Sequence, residues 1–165
     1  MIRRMLTVCL LVGVLMPVSA QLLMKNVFKA MPDSLMPYLS QNNRLDFIDF
    51  MESGMKAEVK NQLDGMSEMT SLTDDSLTIR LNEAVTVTMI LLPVAHPTQD
   101  VSQVIGVIHT YAFQSGQRES VVKYYTTNWQ QMIESPQLTV GAQQRISALK
   151  VQTIFNWEIK NLNKL

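Results

Sequence analysis

The side chains that could carry acid–base chemistry are few and scattered along this sequence. Only two histidines occur: His96 lies between Ala95 and Pro97, and His109 lies in a run rich in β-branched residues. A general base needs a partner within hydrogen-bond reach. No nucleophile motif such as Gly-x-Ser-x-Gly is present to supply one. The pattern therefore favours packing roles for both histidines, and we assign no catalytic residue and expect a protein that is not an enzyme.

Two groups of carboxylates have spacings that a cation site could use. Asp46, Asp49 and Glu52 recur every three residues, which places them on one ridge of a helix. Asp74 and Asp75 are adjacent within a turn-like stretch. Calcium prefers oxygen ligands of this kind, but a solvated helix face and ordinary turn chemistry account for the same spacing. No Asp-x-Asp-x-Asp-Gly loop occurs, and we expect no bound metal and no cofactor.

Methionine is the unusual component of the composition, with 12 in the chain. Met51 and Met55 share a predicted helix face, and Met66 and Met69 follow after the next turn. Thioether sulfurs select copper(I), so these four methionines form the alternative prediction, a copper(I) site in the periplasm. Methionine also fills irregular gaps in a core, which explains the same positions without a metal.

Aromatic side chains offer the clearest candidate for a binding surface. Tyr111, Tyr124, Tyr125 and Trp129 fall on neighbouring predicted strands, where they could line a face that binds a sugar or a peptide. Strand alternation puts Tyr124 and Tyr125 on opposite faces, so at most one of the two is a core residue.

The N-terminus has the three-part order of a secretory signal peptide. Arg3 and Arg4 precede the apolar stretch Met5–Met16, and small residues follow up to Ala20. The apolar stretch is shorter than the roughly 20 residues of a membrane span. Cys9 lies within that stretch and not at the cleavage position, which argues against a lipoprotein. We expect cleavage after Ala20 and a soluble periplasmic or extracellular protein without a transmembrane span.

Length and charge limit the remaining classes. The 165 residues suit one domain, which we place at 21–165 after the signal peptide 1–20. The 14 basic and 14 acidic side chains balance, which argues against nucleic acid as a partner. Because Cys9 is the single cysteine, the exported chain has no disulfide and depends on its core for stability.

Hydrophobic periodicity places helices first and strands afterwards. Helices are predicted at 22–31, near Asp33, and over 44–53 with Asn43 as N-cap and Gly54 beyond the C-terminus. Apolar alternation then predicts about seven strands joined by short turns. The last of these strands is Val151–Ile159, preceded by a short helix over 141–150. Asp64-Gly65 predicts a two-residue type I′ hairpin turn with Gly65 at positive φ.

The fold class is therefore α+β, with N-terminal helices packed on a mainly antiparallel sheet. A sheet with one apolar face needs such a cover. We expect Phe28, Phe47, Ile48 and Met51 to cover the strand face that carries two apolar rows, Leu77, Ile79 and Leu81 on one strand and Val85, Val87 and Met89 on the next.

Several short stretches resemble one protein family. They are Val27–Ser34, Pro37–Leu39, Asn43–Asp46, Leu63–Gly65, Leu72–Asp75 and Tyr124–Trp129. In these stretches the chain resembles an uncharacterised family of small exported Bacteroidetes proteins, a domain of unknown function. The resemblance implies an exported location and a shared fold, and it implies no activity.

The function that we expect from these features is non-catalytic binding. An exported, nearly neutral antiparallel sheet can serve as an accessory module of the cell envelope that engages a protein, a peptide or a glycan. An open sheet edge can accept an added strand.

Overall fold

The computed structural model describes residues 22–150 of the chain. The first third contains α1 (Met24–Lys29), a short 3-10 helix (Asp33–Leu35) and α2 (Gln41–Glu52). The second predicted helix, near Asp33, is reduced to this single 3-10 turn. The predicted signal peptide and the predicted strand Val151–Ile159 lie outside the described residues.

The start of α2 lies three residues before its predicted position. Ser40 is the N-cap, and its hydroxyl accepts the Asn43 backbone N–H at 3.2 Å, while Asn43 Oδ1 accepts the Ser40 backbone N–H at 3.1 Å. This reciprocal pair is a capping box. The prediction of Asn43 as N-cap is wrong because Asn43 lies within the first turn of α2, at position N3, where its side chain accepts the Ser40 backbone N–H.

The C-terminus of α2 agrees with its prediction. Gly54 has φ of 67°, and the backbone N–H of Met55 donates to the Phe50 carbonyl at 2.9 Å. The Gly54 N–H donates to the Met51 carbonyl at 3.2 Å. These two bonds form a Schellman motif, in which glycine adopts the left-handed conformation without steric penalty.

A buried arginine fastens the loop between α1 and α2. Arg44 is only 1% exposed. Its guanidinium donates to the carbonyls of Met31 (2.6 Å) and Leu39 (3.1 Å) and to the carboxylate of Asp33 (2.8 Å). The connection therefore folds back onto α2 through side-chain hydrogen bonds, without a second full helix.

Six strands follow, and they form one antiparallel sheet in the order β1-β2-β3-β4-β5-β6. Each strand pairs with its neighbours in sequence, as short turns require. Six strands are present among residues 22–150, against the seven predicted along the whole chain. Their bounds are β1 (Ala57–Lys60), β2 (Met66–Leu72), β3 (Ser76–Arg80), β4 (Val85–Pro93), β5 (Gln103–Ala112) and β6 (Arg118–Tyr125).

The β1–β2 connection corrects the predicted hairpin. Residues 61–65 join the two strands, so the loop is longer than a two-residue turn. Asp64 holds the positive φ, at 60°, and Gly65 does not have a positive φ. The prediction that Gly65 occupies a left-handed position is therefore wrong.

The physical reason is the buried carboxamide of Asn61. Its Oδ1 accepts the backbone N–H groups of Leu63 (3.0 Å) and Gly65 (3.1 Å). Its Nδ2 donates to Ser67 Oγ at 3.0 Å and to the Leu81 carbonyl at 3.3 Å. The loop is thus built around one side chain that also reaches β2 and the end of β3.

One face of the sheet, here called the helical face, packs against α1 and α2. Phe28, Phe47 and Ile48 are fully buried there, and Met51 is partly buried, as predicted. The predicted strand residues meet them: Leu77, Ile79, Leu81, Val87 and Met89 are buried, and Val85 is partly buried.

The opposite face is also covered, but only in part. Residues 140–150 are helical and are called α3, which confirms the short helix predicted there. Ala142 and Ile146 pack with Ile90, Leu92 and Val104 in a second buried cluster. The apolar residues of β4 and β5 are thus buried on both faces of the sheet, which explains their near-continuous hydrophobic runs.

Candidate functional site

The acidic ridge of α2 is a solvated helix face. Asp46 and Asp49 are exposed, and Glu52 forms an ion pair with Lys25 at 2.6 Å. The hydrogen bond from Lys25 lowers the pKa of Glu52. Among residues 22–150, no three histidine, cysteine or acidic side chains are grouped so that they could hold a metal ion.

The acidic turn before β3 has a structural role. Asp75 accepts a hydrogen bond from Thr73 Oγ1 at 3.1 Å and pairs with Arg145 of α3 at 2.9 Å. Burial raises the pKa of Asp75, but the hydrogen bonds from Arg145 and Thr73 outweigh it, and the pKa is lowered overall. The Asp74 carbonyl accepts the Met24 N–H at 2.7 Å, which ties the turn to the start of α1.

The four candidate copper ligands are not gathered at one place. Met69 is 2% exposed on the helical face of β2, while Met66 is 53% exposed. These two positions differ by an odd number of residues in one strand, so their side chains point to opposite faces. Met55 is also 53% exposed, and Met51 packs against the core. This arrangement does not supply the shared thioether pocket that a copper(I) site needs.

The two histidines occupy different environments. His96 is exposed in the loop after β4. His109 is half-buried on β5, and its ring is stacked with that of Tyr111 at a centroid distance of 6.3 Å. Burial lowers the pKa of His109, and the nearby Lys123 lowers it further.

The predicted aromatic surface is divided by the core. Tyr125 and Trp129 are 6% and 7% exposed on the helical face, with ring centroids 5.7 Å apart, so neither is available to a partner. Tyr124 lies on the opposite face against the second cluster, where burial raises its pKa. Of the four predicted residues only Tyr111 is exposed, at 39%. The prediction that Tyr125 and Trp129 line a binding surface is corrected because both side chains are buried, and the Trp129 indole is bonded to the Val27 carbonyl of α1.

The outer edge of β6 is the feature that sequence reasoning did not locate. At its C-terminal end, the Tyr124 carbonyl accepts the Met132 N–H and the Thr126 N–H donates to the Gln130 carbonyl, both at 2.9 Å. Tyr124 therefore directs its backbone groups away from β5. By the two-residue repeat of a strand, Val122, Ser120 and Arg118 do the same.

No hydrogen bond reaches these three pairs of backbone groups from any part of the described chain. We call the outer side of β6 from Arg118 to Lys123 the β6 edge. On the helical face beside it lie Val121, 48% exposed, and Tyr111. The packing of α1 and α2 against β1–β4 leaves this end of the helical face open.

The other outer strand is protected. β1 has only four residues, and α2 packs closely against it. The Asn43 side chain donates to the Lys60 carbonyl at 3.2 Å. Short length, charged residues and a covering element are the usual means by which proteins block strand addition. β6 is twice as long, and within residues 22–150 no backbone hydrogen bond reaches its outer side between Arg118 and Lys123.

On the opposite face, the β6 edge presents polar groups. Ser120 and Thr110 form a hydroxyl pair at 3.0 Å. The Arg118 Nε is buried and has no hydrogen-bond partner within residues 22–150. The arrangement as a whole can bind main-chain amides along a line, with an apolar shelf on one face and polar side chains on the other.

The helices, the open antiparallel sheet and its β6 edge together define an α+β protein. The chain belongs to the family described as "Protein of unknown function (DUF3256)", whose model matches residues 16–162. This confirms the family resemblance. No curated protein matches the sequence.

The fold is shared with a solved structure, "Structure of a domain of an uncharacterized protein from Porphyromonas gingivalis W83", an organism of the Bacteroidetes. The TM-score is 0.54 and the identity 24%, over 68% of this chain and 57% of that chain. The likeness concerns the fold alone, and the chain spans little more than half the length of that neighbour. In the described part, no helix is long and apolar enough to cross a membrane.

Proposed function

We propose that this protein is a non-catalytic, exported binding module whose β6 edge accepts an extended segment of a protein or peptide. The observation that carries the proposal is the row of outward backbone groups of Arg118, Ser120 and Val122, which no described residue satisfies. Added strands bind through main-chain hydrogen bonds, and side chains on the two faces provide specificity.

The surroundings of the β6 edge support a peptide over a glycan. Two of the four aromatic side chains that could stack on a sugar lie in the core. The exposed apolar side chains beside the edge are Tyr111 and Val121, which form a narrow shelf, and Phe113, 49% exposed, at the β5–β6 turn. Such a shelf suits an apolar side chain of an added strand, because cross-strand neighbours on one face contact each other.

The test is a matched pair of variants at one position. Ser120→Pro removes an outward N–H that the β5 ladder does not use, and proline is tolerated on edge strands for this reason. Ser120→Ala removes the hydroxyl that contacts Thr110 but keeps the N–H. A displayed library of random linear peptides, selected on the wild type, supplies the ligand.

We expect selected peptides to bind the wild type and the Ser120→Ala variant with similar affinity, and Ser120→Pro at least tenfold more weakly. Circular dichroism and thermal melts of both variants control for folding. Peptides that bind Ser120→Pro as well as Ser120→Ala would place the binding surface elsewhere and overturn the proposal.

Export is part of the same proposal and has its own test. The order of charged, apolar and small residues up to Ala20 supports it. N-terminal sequencing of the protein from the periplasm or medium is expected to begin at Gln21. A cytoplasmic pool that retains Met1 would contradict export.

A further inference from the structure

The side chains of the β6 edge have a self-complementary order. Glu119 and Lys123 are exposed, two positions either side of Val121, and all three lie on the helical face. Neither charge has an oppositely charged partner within 4.0 Å in the described chain. An antiparallel copy of the same strand would bring each charge opposite its counterpart.

The backbone limits the registers that a second β6 could adopt. Both strands must use outward groups, which belong to the even-numbered residues 118, 120 and 122, so even residues must face even residues. Met132 already bonds to the Tyr124 carbonyl, which confines pairing to Arg118–Lys123. Three symmetric registers with at least two hydrogen-bonded residue pairs remain. The one centred on Glu119 places two glutamates directly opposite each other, which is unfavourable. This leaves the registers centred on Ser120 and on Val121.

Charge and apolar exposure choose between these two registers. In the register centred on Val121, Glu119 faces Lys123 of the second copy on both sides of the axis. The two exposed Val121 side chains then face each other. In the register centred on Ser120, Glu119 instead faces Val121 of the second copy. Opposite charges directly across a strand pair stabilise it, while an unmatched pair does not.

We infer that the strand accepted by the β6 edge is β6 of a second copy of this chain, in antiparallel register about Val121. This inference rests on the proposed function and names its partner. The Ser120 and Val122 backbones then exchange hydrogen bonds twice across a two-fold axis, which makes a closed dimer with one continuous sheet. A contact of this length is small, so the dimer forms with rising protein concentration.

The first experiment exchanges the charges. In sedimentation velocity over a concentration series, we expect the wild-type chain to dimerise and Glu119→Lys or Lys123→Glu alone to remain monomeric, because like charges then face each other. An equimolar mixture of the two single variants is expected to regain the dimer, since a strand with two lysines then pairs with a strand with two glutamates. The double variant, in which the two charges have changed places, is also expected to dimerise.

The second experiment reads the register. Residues whose backbone groups point inwards form a non-hydrogen-bonded pair across the axis, with Cα atoms about 4.5 Å apart, within the range that a disulfide spans. In a full chain carrying Cys9→Ser, Val121→Cys is expected to form an intermolecular disulfide on mild oxidation. Glu119→Cys, the matched control, is not.

Three outcomes overturn the inference: a wild type that stays monomeric throughout the series, single charge variants that dimerise like the wild type, or a Ser120→Cys disulfide without a Val121→Cys disulfide. Each is distinguishable from failure of the proposed function. If selected peptides still bind in a manner that Ser120→Pro weakens, the β6 edge accepts strands and only the identity of the partner is wrong.

Discussion

The indole Nε1 of Trp129 donates a 2.9 Å hydrogen bond to the backbone carbonyl of Val27, a residue 102 positions earlier in the chain. Val27 lies in α1, and Trp129 follows β6 with a positive φ of 64°. The bond joins α1 to the segment that follows β6. It closes the core of the helical face at the end where the sheet is not covered by α2.

Trp129→Phe is expected to destabilise the fold by about 1–3 kcal/mol, because it leaves the buried Val27 carbonyl unpaired while keeping an aromatic ring. Denaturant unfolding measures the change, with exposed Tyr111→Phe as control. A loss below about 0.5 kcal/mol, the range of neutral surface changes, would show that the hydrogen bond contributes little.

Arg44→Met is expected to cost about 2–6 kcal/mol, since two buried carbonyls, those of Met31 and Leu39, each lose a donor worth about 1–3 kcal/mol. Asp33→Asn, the matched change on the partner, should cost less than about 1 kcal/mol because that carboxylate is 64% exposed. Equal losses in the two variants, measured by denaturant unfolding, would mean that the ion pair with Asp33, and not the two carbonyl hydrogen bonds, provides the stability.

The loop at 61–65 predicts opposite effects of substitution at its two neighbouring positions, Asp64 and Gly65. Asp64→Gly should be neutral or stabilising by up to about 1 kcal/mol, since it relieves a positive φ. Gly65→Val should destabilise by about 1–3 kcal/mol because its side chain would press on the Asn61 carboxamide, which lies 3.3 Å from the position of an added Cβ. Thermal melts in which Gly65→Val is as stable as the wild type would show that the Asn61 carboxamide does not restrict position 65.

His109 predicts a dependence of stability on pH. Burial and Lys123 hold the pKa of His109 below its usual value of 6.5 in the folded chain, so the unfolded chain binds more protons between the two values. The stabilising contribution of neutral His109 is complete above pH 6.5 and is lost as the pH falls towards the lowered pKa.

His109→Gln removes this titration. The free energy of unfolding of the wild type, relative to that of His109→Gln, should therefore decrease as the pH is lowered below 6.5. A relative gain in wild-type stability on acidification would contradict the assigned direction of the shift.

Much of the fold could be predicted from local pattern. Alternation at Leu77, Ile79 and Leu81 correctly identified the buried side of β3, because a strand with one covered face has a two-residue period. The β1–β2 loop could not be predicted, since Asn61 acts through Ser67 and the Leu81 carbonyl, which only the folded sheet brings near. Local sequence does not record such contacts.

The candidate site was harder to predict for a related reason. An edge is a property of strand order, and Ser120–Lys123 has the same alternation that an interior strand would show. Tyr125 and Trp129 were predicted to be available because the local aromatic pattern does not reveal that both side chains are buried in the core of the helical face. The sequence shows the order of Glu119, Val121 and Lys123. This order predicts strand pairing only when β6 is known to lie at the edge of the sheet.

The most direct test of strand acceptance is residue-resolved amide hydrogen exchange on dilute, monomeric protein, without and with a saturating selected peptide. Ser120 and Val122 should exchange rapidly alone and at least tenfold more slowly with the peptide, since their outward N–H groups then gain acceptors. Val121 and Lys123, which face β5, should be protected in both samples. Protection of Ser120 and Val122 without peptide, or none with it, would contradict the account.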